Sequence, residues 1–153
     1  MISGCFYFIK DEFFSSLSEC GLMINKGKGH SRPCYYCFEY KGYYWMVPIS
    51  SKVEKYKAIY EKKKKYRRSD GIVFGYVNGE KRAFLIQNAF PITEDYIDKP
   101  YYVEKGTRLV KIKESLSKEI NKKLKKVIQL EEKGISITFT DIKRIKEFLD
   151  KDR

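Results

Sequence analysis

Two aromatic-rich runs, residues 34–40 and 43–49, stand on either side of Lys41-Gly42. Aromatic and β-branched runs separated by a two-residue turn containing glycine read as an antiparallel hairpin. A second pair, 71–77 and 81–87, flanks Asn78-Gly79. Asn-Gly between β-rich runs is the strongest short-range hairpin signal, because both turn residues must adopt positive φ. Two such hairpins commit the middle of the chain to antiparallel sheet.

The rest is arranged around that sheet. Residues 4–9 read as a first strand, and 11–18 as a short helix with Phe13, Phe14 and Leu17 on one face. Residues 21–33 form a glycine-rich loop that carries Lys26, Lys28, His30 and Arg32. Ser50 and Ser51 are good helix-capping residues and precede a helical stretch over 53–65. Pro91 closes the second hairpin region, 93–97 is a helical turn, and 98–106 is an irregular connection. Ile112, Leu116, Ile120, Leu124, Val127 and Ile128 form one apolar stripe, so 112–133 is a long helix ended by Gly134. Thr140 or Asp141 caps a last helix over 141–150, with Ile142, Ile145, Phe148 and Leu149 facing inward. The expectation is one α+β domain spanning 1–153: an antiparallel sheet of about five to six strands, interleaved helices and a helical C-terminus.

Charge narrows the partner. The 32 Lys and Arg against 20 Asp and Glu leave a net charge of +12, on a chain that is 42% hydrophobic and 16% aromatic. Such a chain can fold and still favours a polyanion, either nucleic acid or an anionic membrane. The excess is concentrated. Residues 52–68 hold Lys52, Lys55, Lys57, Lys62, Lys63, Lys64, Lys65, Arg67 and Arg68 against Glu54 and Glu61. A solvated helix face is the plain reading of such a run. Tyr56, Tyr60 and Tyr66 are interleaved with the charges, however, and rings can stack bases. A membrane-surface helix needs an apolar stripe opposite its lysines. Only Val53, Ala58 and Ile59 are aliphatic here, and a core must use them.

No apolar run approaches the ~20 residues of a membrane span. The N-terminus lacks a basic segment ahead of an apolar one, so a cytoplasmic location is expected. Reduced thiols follow from that. Cys34-Tyr-Tyr-Cys37 with His30 invites a zinc reading. On a strand, residues i and i+3 face opposite sides, so the two thiols are read as space-filling instead. Glu94, Asp95 and Asp98 are the only clustered carboxylates, at no convincing ligand spacing. No metal or cofactor is expected.

In Pro48-Ile49-Ser50-Ser51-Lys52, two hydroxyls and an ammonium meet where a strand enters a helix. Simple capping explains the serines. Helix N-termini also present unpaired N–H groups to phosphate, and a lysine adds a mobile charge.

Three segments resemble the ToxN/AbiQ/CptN toxins of type III toxin–antitoxin systems, the CptN branch most of all. They are His30-Ser31-Arg32-Pro33-Cys34-Tyr35-Tyr36, then Trp45-Met46-Val47-Pro48-Ile49-Ser50-Ser51-Lys52-Val53-Glu54-Lys55, then Ala83-Phe84-Leu85-Ile86-Gln87-Asn88-Ala89-Phe90-Pro91-Ile92-Thr93-Glu94. Phe6-Tyr7-Phe8-Ile9 fits the family's opening strand, while the C-terminal helices match only in kind. The resemblance implies a MazF/Kid-like fold with a twisted antiparallel sheet. It implies a sequence-specific endoribonuclease that leaves a 2′,3′-cyclic phosphate. It also implies an RNA pseudoknot antitoxin that closes with the toxin into a ring-like assembly.

Residue by residue, Ser50 and Ser51 match the family's hydroxyl pair. The family's lysine often lies one position beyond Lys52, behind a proline. That position is Val53 here, so Lys52 or Lys55 supplies the charge. Arg32 matches the basic residue entering the second strand, with His30 two positions before it. The family's tyrosine after the first strand falls near Phe13, which lacks the hydroxyl.

The expected catalytic set is therefore Ser50, Ser51, Lys52, His30 and Arg32. The expected RNA-contacting set is Lys26, Lys28, Lys55, Tyr56, Lys62, Lys63, Lys64, Lys65, Arg67, Arg68, Gln87, Asn88, Lys122, Lys123 and Lys126. A non-catalytic basic RNA-binding module is the alternative from another class, and a basic membrane-surface protein a third.

Overall fold

The structure, a computed structural model, describes residues 1–23, 26–27, 30–65, 71–103 and 105–151, with Lys26, Gly27, His30 and Ser31 described through their backbone. Both hairpins form where the turn residues require them. Strand β4 (Cys34–Tyr40) pairs with β5 (Tyr43–Ser50), and β6 (Val73–Val77) with β7 (Glu80–Phe84). Lys41 and Gly42 have φ of 50° and 83°, and Asn78 and Gly79 have 50° and 81°. Two successive positive φ values match the right-handed twist of the strands they join.

The main sheet has seven strands. Six follow the order β6-β7-β5-β4-β1-β9, where β1 is Phe6–Ile9 and β9 is Ile97–Pro100. The seventh, β8 (Phe90–Ile92), pairs with Tyr44, Trp45 and Met46 of β5. Small ribbons join β2 (Lys26–Gly27) to β3 (His30–Ser31) and β10 (Tyr102–Val103) to β11 (Arg108–Leu109). The α+β antiparallel expectation holds, with more strands than foreseen.

The departures have local causes. The supposed irregular connection over 98–106 contains β9, an edge strand that includes Asp98, Lys99 and Pro100. Charged residues and proline suit an edge, where no further ladder forms, and they hide it from pattern reading. β8 contains Pro91 for the same reason. The strand expected over 81–87 stops at Phe84. Leu85 N–H turns to the Pro48 carbonyl at 2.9 Å, and a 3₁₀ turn, Ile86–Asn88, follows. The long helix α3 begins at Glu114 (Glu114–Glu132), because Lys111 is held in a bridge with Cys5 and Ile112 lies outside the helix.

Both faces of the sheet are covered. Phe6, Tyr35, Trp45 and Val47 pack with Ile120, Leu124, Val127 and Ile128 of α3. Tyr7, Tyr36 and Met46 pack with Phe13 and Leu17 near helix α1 (Asp11–Ser16) and with Ile145 and Leu149 of α4 (Ile142–Asp150). Cys34 and Cys37 fall into these two different clusters, as opposite-facing residues must. A third cluster seats helix α2 (Val53–Lys64), placing Tyr56 against Ile72, Ala83 and Leu85. Gly75 is bare because α3 passes over it: an added Cβ would lie 2.2 Å from Leu116 Cδ2.

Candidate active site and RNA surface

β5 changes partners along its length. Its first half pairs with β8 and its end, Ile49 and Ser50, with Phe84 and Ala83 of β7. On its other side it stays with β4, where the register Cys34↔Pro48, Tyr35↔Val47, Tyr36↔Met46 is continuous. The ladder with β4 ends at Cys34↔Pro48, and Arg32 lies two residues before Cys34 in the chain. Pro48 and Ile49 line a crevice together with Arg32, Pro33, Cys34, Phe14, Met23 and Phe90. It holds about 20 Å³, room for roughly one water-sized group. What stands here is an open junction rather than a small-molecule pocket.

The two serines part company in the fold. Ser50 is 6% exposed, and its Oγ accepts the Lys52 N–H at 3.1 Å. Ser51 is exposed, and its carbonyl accepts the Val53 N–H at 2.9 Å. Neither hydroxyl caps α2 as expected; Lys52 holds the N-cap position with no side-chain bond of its own. Ser50 therefore shapes the turn, while Ser51 and Lys52 are exposed on it, and Arg32 is exposed where it lines the crevice beside Pro48 and Ile49. Lys55, also exposed, lies three residues along in the first helical turn, its Nζ 5.4 Å from the centre of the Tyr56 ring. The first-turn N–H groups of a helix have no intrahelical acceptor.

Burial pushes the Cys34 thiol up to about 12, so at neutral pH it is a protonated space-filler and no nucleophile. Burial likewise holds the Cys37 thiol well above its ordinary value. Among the described residues, no group of three His, Cys, Asp or Glu side chains could hold a metal ion.

The expected RNA contacts divide. Lys62, Lys64 and Lys65 are exposed at the C-terminal end of α2. Lys122 and Lys126 are exposed on α3, while Lys123 is partly covered and pairs with Glu119 at 3.3 Å. Tyr56 is 9% exposed and belongs to the core beneath α2, so its ring is not displayed to a base. Gln87 is 6% exposed, and Asn88 half-buried, because the chain turns inward after β7. Gln87 Oε1 instead accepts from Lys63 Nζ at 2.5 Å. Burial lowers the pKa of that lysine. Lys28, Arg67 and Arg68 lie outside the described residues, as do the side chains of Lys26 and His30. Phe14, Met23 and Phe90, which wall the crevice, escaped sequence reading because apolar residues carry no chemical signature.

No protein-family model and no curated protein matches the chain by sequence. Comparison with solved structures gives a different result. The fold is that of AbiQ. AbiQ is a lactococcal anti-phage endoribonuclease belonging to the type-III toxin–antitoxin system, and the two superpose with a TM-score of 0.67. The match covers 95% of each chain at 16% sequence identity. Such a pair shares architecture over nearly the whole length of both chains. The fold expected from the resemblance is the fold observed. Among the described residues, no helix is long and apolar enough to cross a membrane.

Proposed function

We propose that this chain is a metal-independent endoribonuclease, the toxin of a type III toxin–antitoxin system, acting in the cytoplasm as one domain. The observation that carries the reading is the crevice that Arg32 shares with Pro48 and Ile49, the residues leading directly into Ser50, Ser51 and Lys52, in a chain with the AbiQ fold.

Two cations and an exposed hydroxyl beside a helix N-terminus suit a phosphate whose negative charge grows during attack. The 2′-oxygen of the preceding ribose forms a bond to phosphorus as the bond to the 5′-oxygen breaks. The 2′-hydroxyl proton leaves to a base, His30 or a lysine, and the 5′-oxygen gains a proton. The products are a 2′,3′-cyclic phosphate and a 5′-hydroxyl, with no net consumption of water. Arg32 and Lys52 (or Lys55) neutralise the pentavalent phosphate, and Ser51 donates a hydrogen bond to it. A structured RNA antitoxin, a pseudoknot closing into a ring-like assembly with the toxin, would cover the basic surface of α2 and α3.

Replacing the 2′-hydroxyl at the cut site with hydrogen is expected to abolish cleavage, while EDTA leaves it intact. Cleavage at the deoxy site would overturn the mechanism. In cells, growth arrest relieved by Lys52→Ala is expected of a toxin; a binding module would show no such dependence.

A further inference from the structure

The segment joining α3 to α4 displays Ile135, Ile137 and Phe139, and Phe139 is 62% exposed. Loops that display a large ring usually do so on loose backbone. This one does not. Phe139 N–H donates to the Gln87 carbonyl at 2.8 Å, and the Thr140 hydroxyl donates to the Ala89 carbonyl at 2.6 Å in a buried setting. Asp141 N–H donates to the Cys20 carbonyl at 2.9 Å. Gly21, at φ of +73°, lies so close that an added Cβ would come within 2.1 Å of the Phe139 carbonyl oxygen. Four contacts thus fix the backbone beneath a ring that faces solvent.

The ring also has a charged neighbour. Lys63 Nζ stands 5.0 Å from the ring centre and is steered there by its bond to Gln87 Oε1. A cation on one side and solvent on the rest make an aromatic platform with an anchored positive charge beside it. Proteins that bind single-stranded nucleic acid use this pairing: a base stacks on the ring while the cation meets a phosphate. Lys63 lies eleven residues after Lys52 on the same helix, about 16 Å away at the α-helical rise. A strand of RNA following α2 would pass Lys55 and Lys62 between the two points, both exposed.

We infer that Phe139, with Lys63 and Gln87 behind it, is a base-stacking subsite for an unpaired nucleotide of RNA, placed a few nucleotides from the phosphate held at the Ser50–Lys52 junction. This rests on reading the chain as an RNA-binding protein. It does not require that the chain cut RNA.

The test uses the full chain and a fluorescein-labelled 2′-O-methyl adenylate decamer, which binds but lacks the attacking hydroxyl. Phe139→Ala and Phe139→Leu are each expected to weaken binding about tenfold. Phe139→Trp and Phe139→Tyr should bind as the parent does. The slope of log K against log salt should stay the same in all four variants, since no phosphate contact is removed. A 2-aminopurine walked along the decamer should be quenched at one position, and Phe139→Ala should release that quenching. Because the ring is exposed, the urea midpoints should coincide. Binding by Phe139→Ala within twofold of the parent overturns the inference. So does full binding by Phe139→Leu, which would mark an apolar contact made to a protein partner instead. So does a parent chain that fails to bind the decamer. Loss of the cleavage reading is distinguishable: the parent then cuts no RNA, yet the ring-dependent binding and quenching persist.

Discussion

The two ends of α2 carry similar residues and treat them differently. At the N-terminal end, Lys52 and Lys55 stand in solvent near Ser51, with a buried serine shaping the turn. At the C-terminal end, one lysine of a run is drawn inward: Lys63 is partly desolvated, bonded to Gln87 and set over Phe139. Its neighbours Lys62, Lys64 and Lys65 stay exposed. A run of four lysines reads as one feature in sequence, yet in the fold it is three diffuse charges and one positioned group. The lesson is that surroundings, more than charge count, decide which cation stays in solvent and which is positioned.

The sharpest way to break this comparison is to remove one group at each end and measure cleavage. Lys52→Ala or Ser51→Ala is expected to slow the cleavage step by about 10²- to 10³-fold, the usual cost of losing one donor to a developing charge. Lys64→Ala should change it far less. Equal losses at both ends would mean that the basic run belongs to the active site.

The next largest effect concerns what joins the ends. Tyr56→Ala should lower stability by about 3 kcal/mol, because the ring is packed against Ile72, Ala83 and Leu85. A urea titration checks this. An unchanged midpoint with weakened RNA binding would return Tyr56 to the surface role its sequence context suggests.

A third measurement isolates the diffuse charges. Replacing Lys62, Lys64 and Lys65 together with alanine should flatten the salt slope of single-stranded RNA binding by about two units, at ~0.7 per phosphate. The smallest effect belongs to Lys63. Burial holds its pKa below the ordinary 10.5, so the folded state carries a penalty while the amine is charged. That penalty is fully present below the folded pKa and is lost as pH rises from there toward 10.5. The parent should therefore gain a little stability across that window relative to Lys63→Gln, as read by unfolding midpoints. A parent that loses stability there instead would show that the ammonium is favourably paired.

Much of this architecture could be read in advance, for identifiable reasons. Lys41-Gly42 and Asn78-Gly79 announce their hairpins because few dipeptides accept two positive φ values. The stripe on α3 is legible because one face is buried throughout its middle. The edge strands β8 and β9 were not legible, since Pro91, Asp98, Lys99 and Pro100 all speak against a ladder. At the site, the cations and hydroxyls could be named, but not the division of labour between Ser50 and Ser51. That division depends on which hydroxyl the turn after β5 folds inward. Gln87 read as a surface amide because nothing local signals that the chain leaves the sheet at Phe84.

The fixing of Phe139 by Gln87, Cys20 and Gly21 also orders events in time. The β4–β5 hairpin and the first turn of α2 close over short loops, and they lie in the first half of the chain. The Phe139 platform needs contacts between segments more than fifty residues apart, since Gln87 is 52 positions before Phe139 and Gly21 is 118 before it. Local closures form faster than distant ones, and a nascent chain emerges N-terminus first. The N-terminal end of α2 is thus assembled before the end beside Phe139. Pulse-labelled hydrogen exchange during refolding should protect the amides of β4 and β5 ahead of Phe139 and Asp141, and the opposite order would contradict it. A newly made chain would then pass through a stage in which the junction proposed to hold phosphate exists without the ring proposed to stack a base.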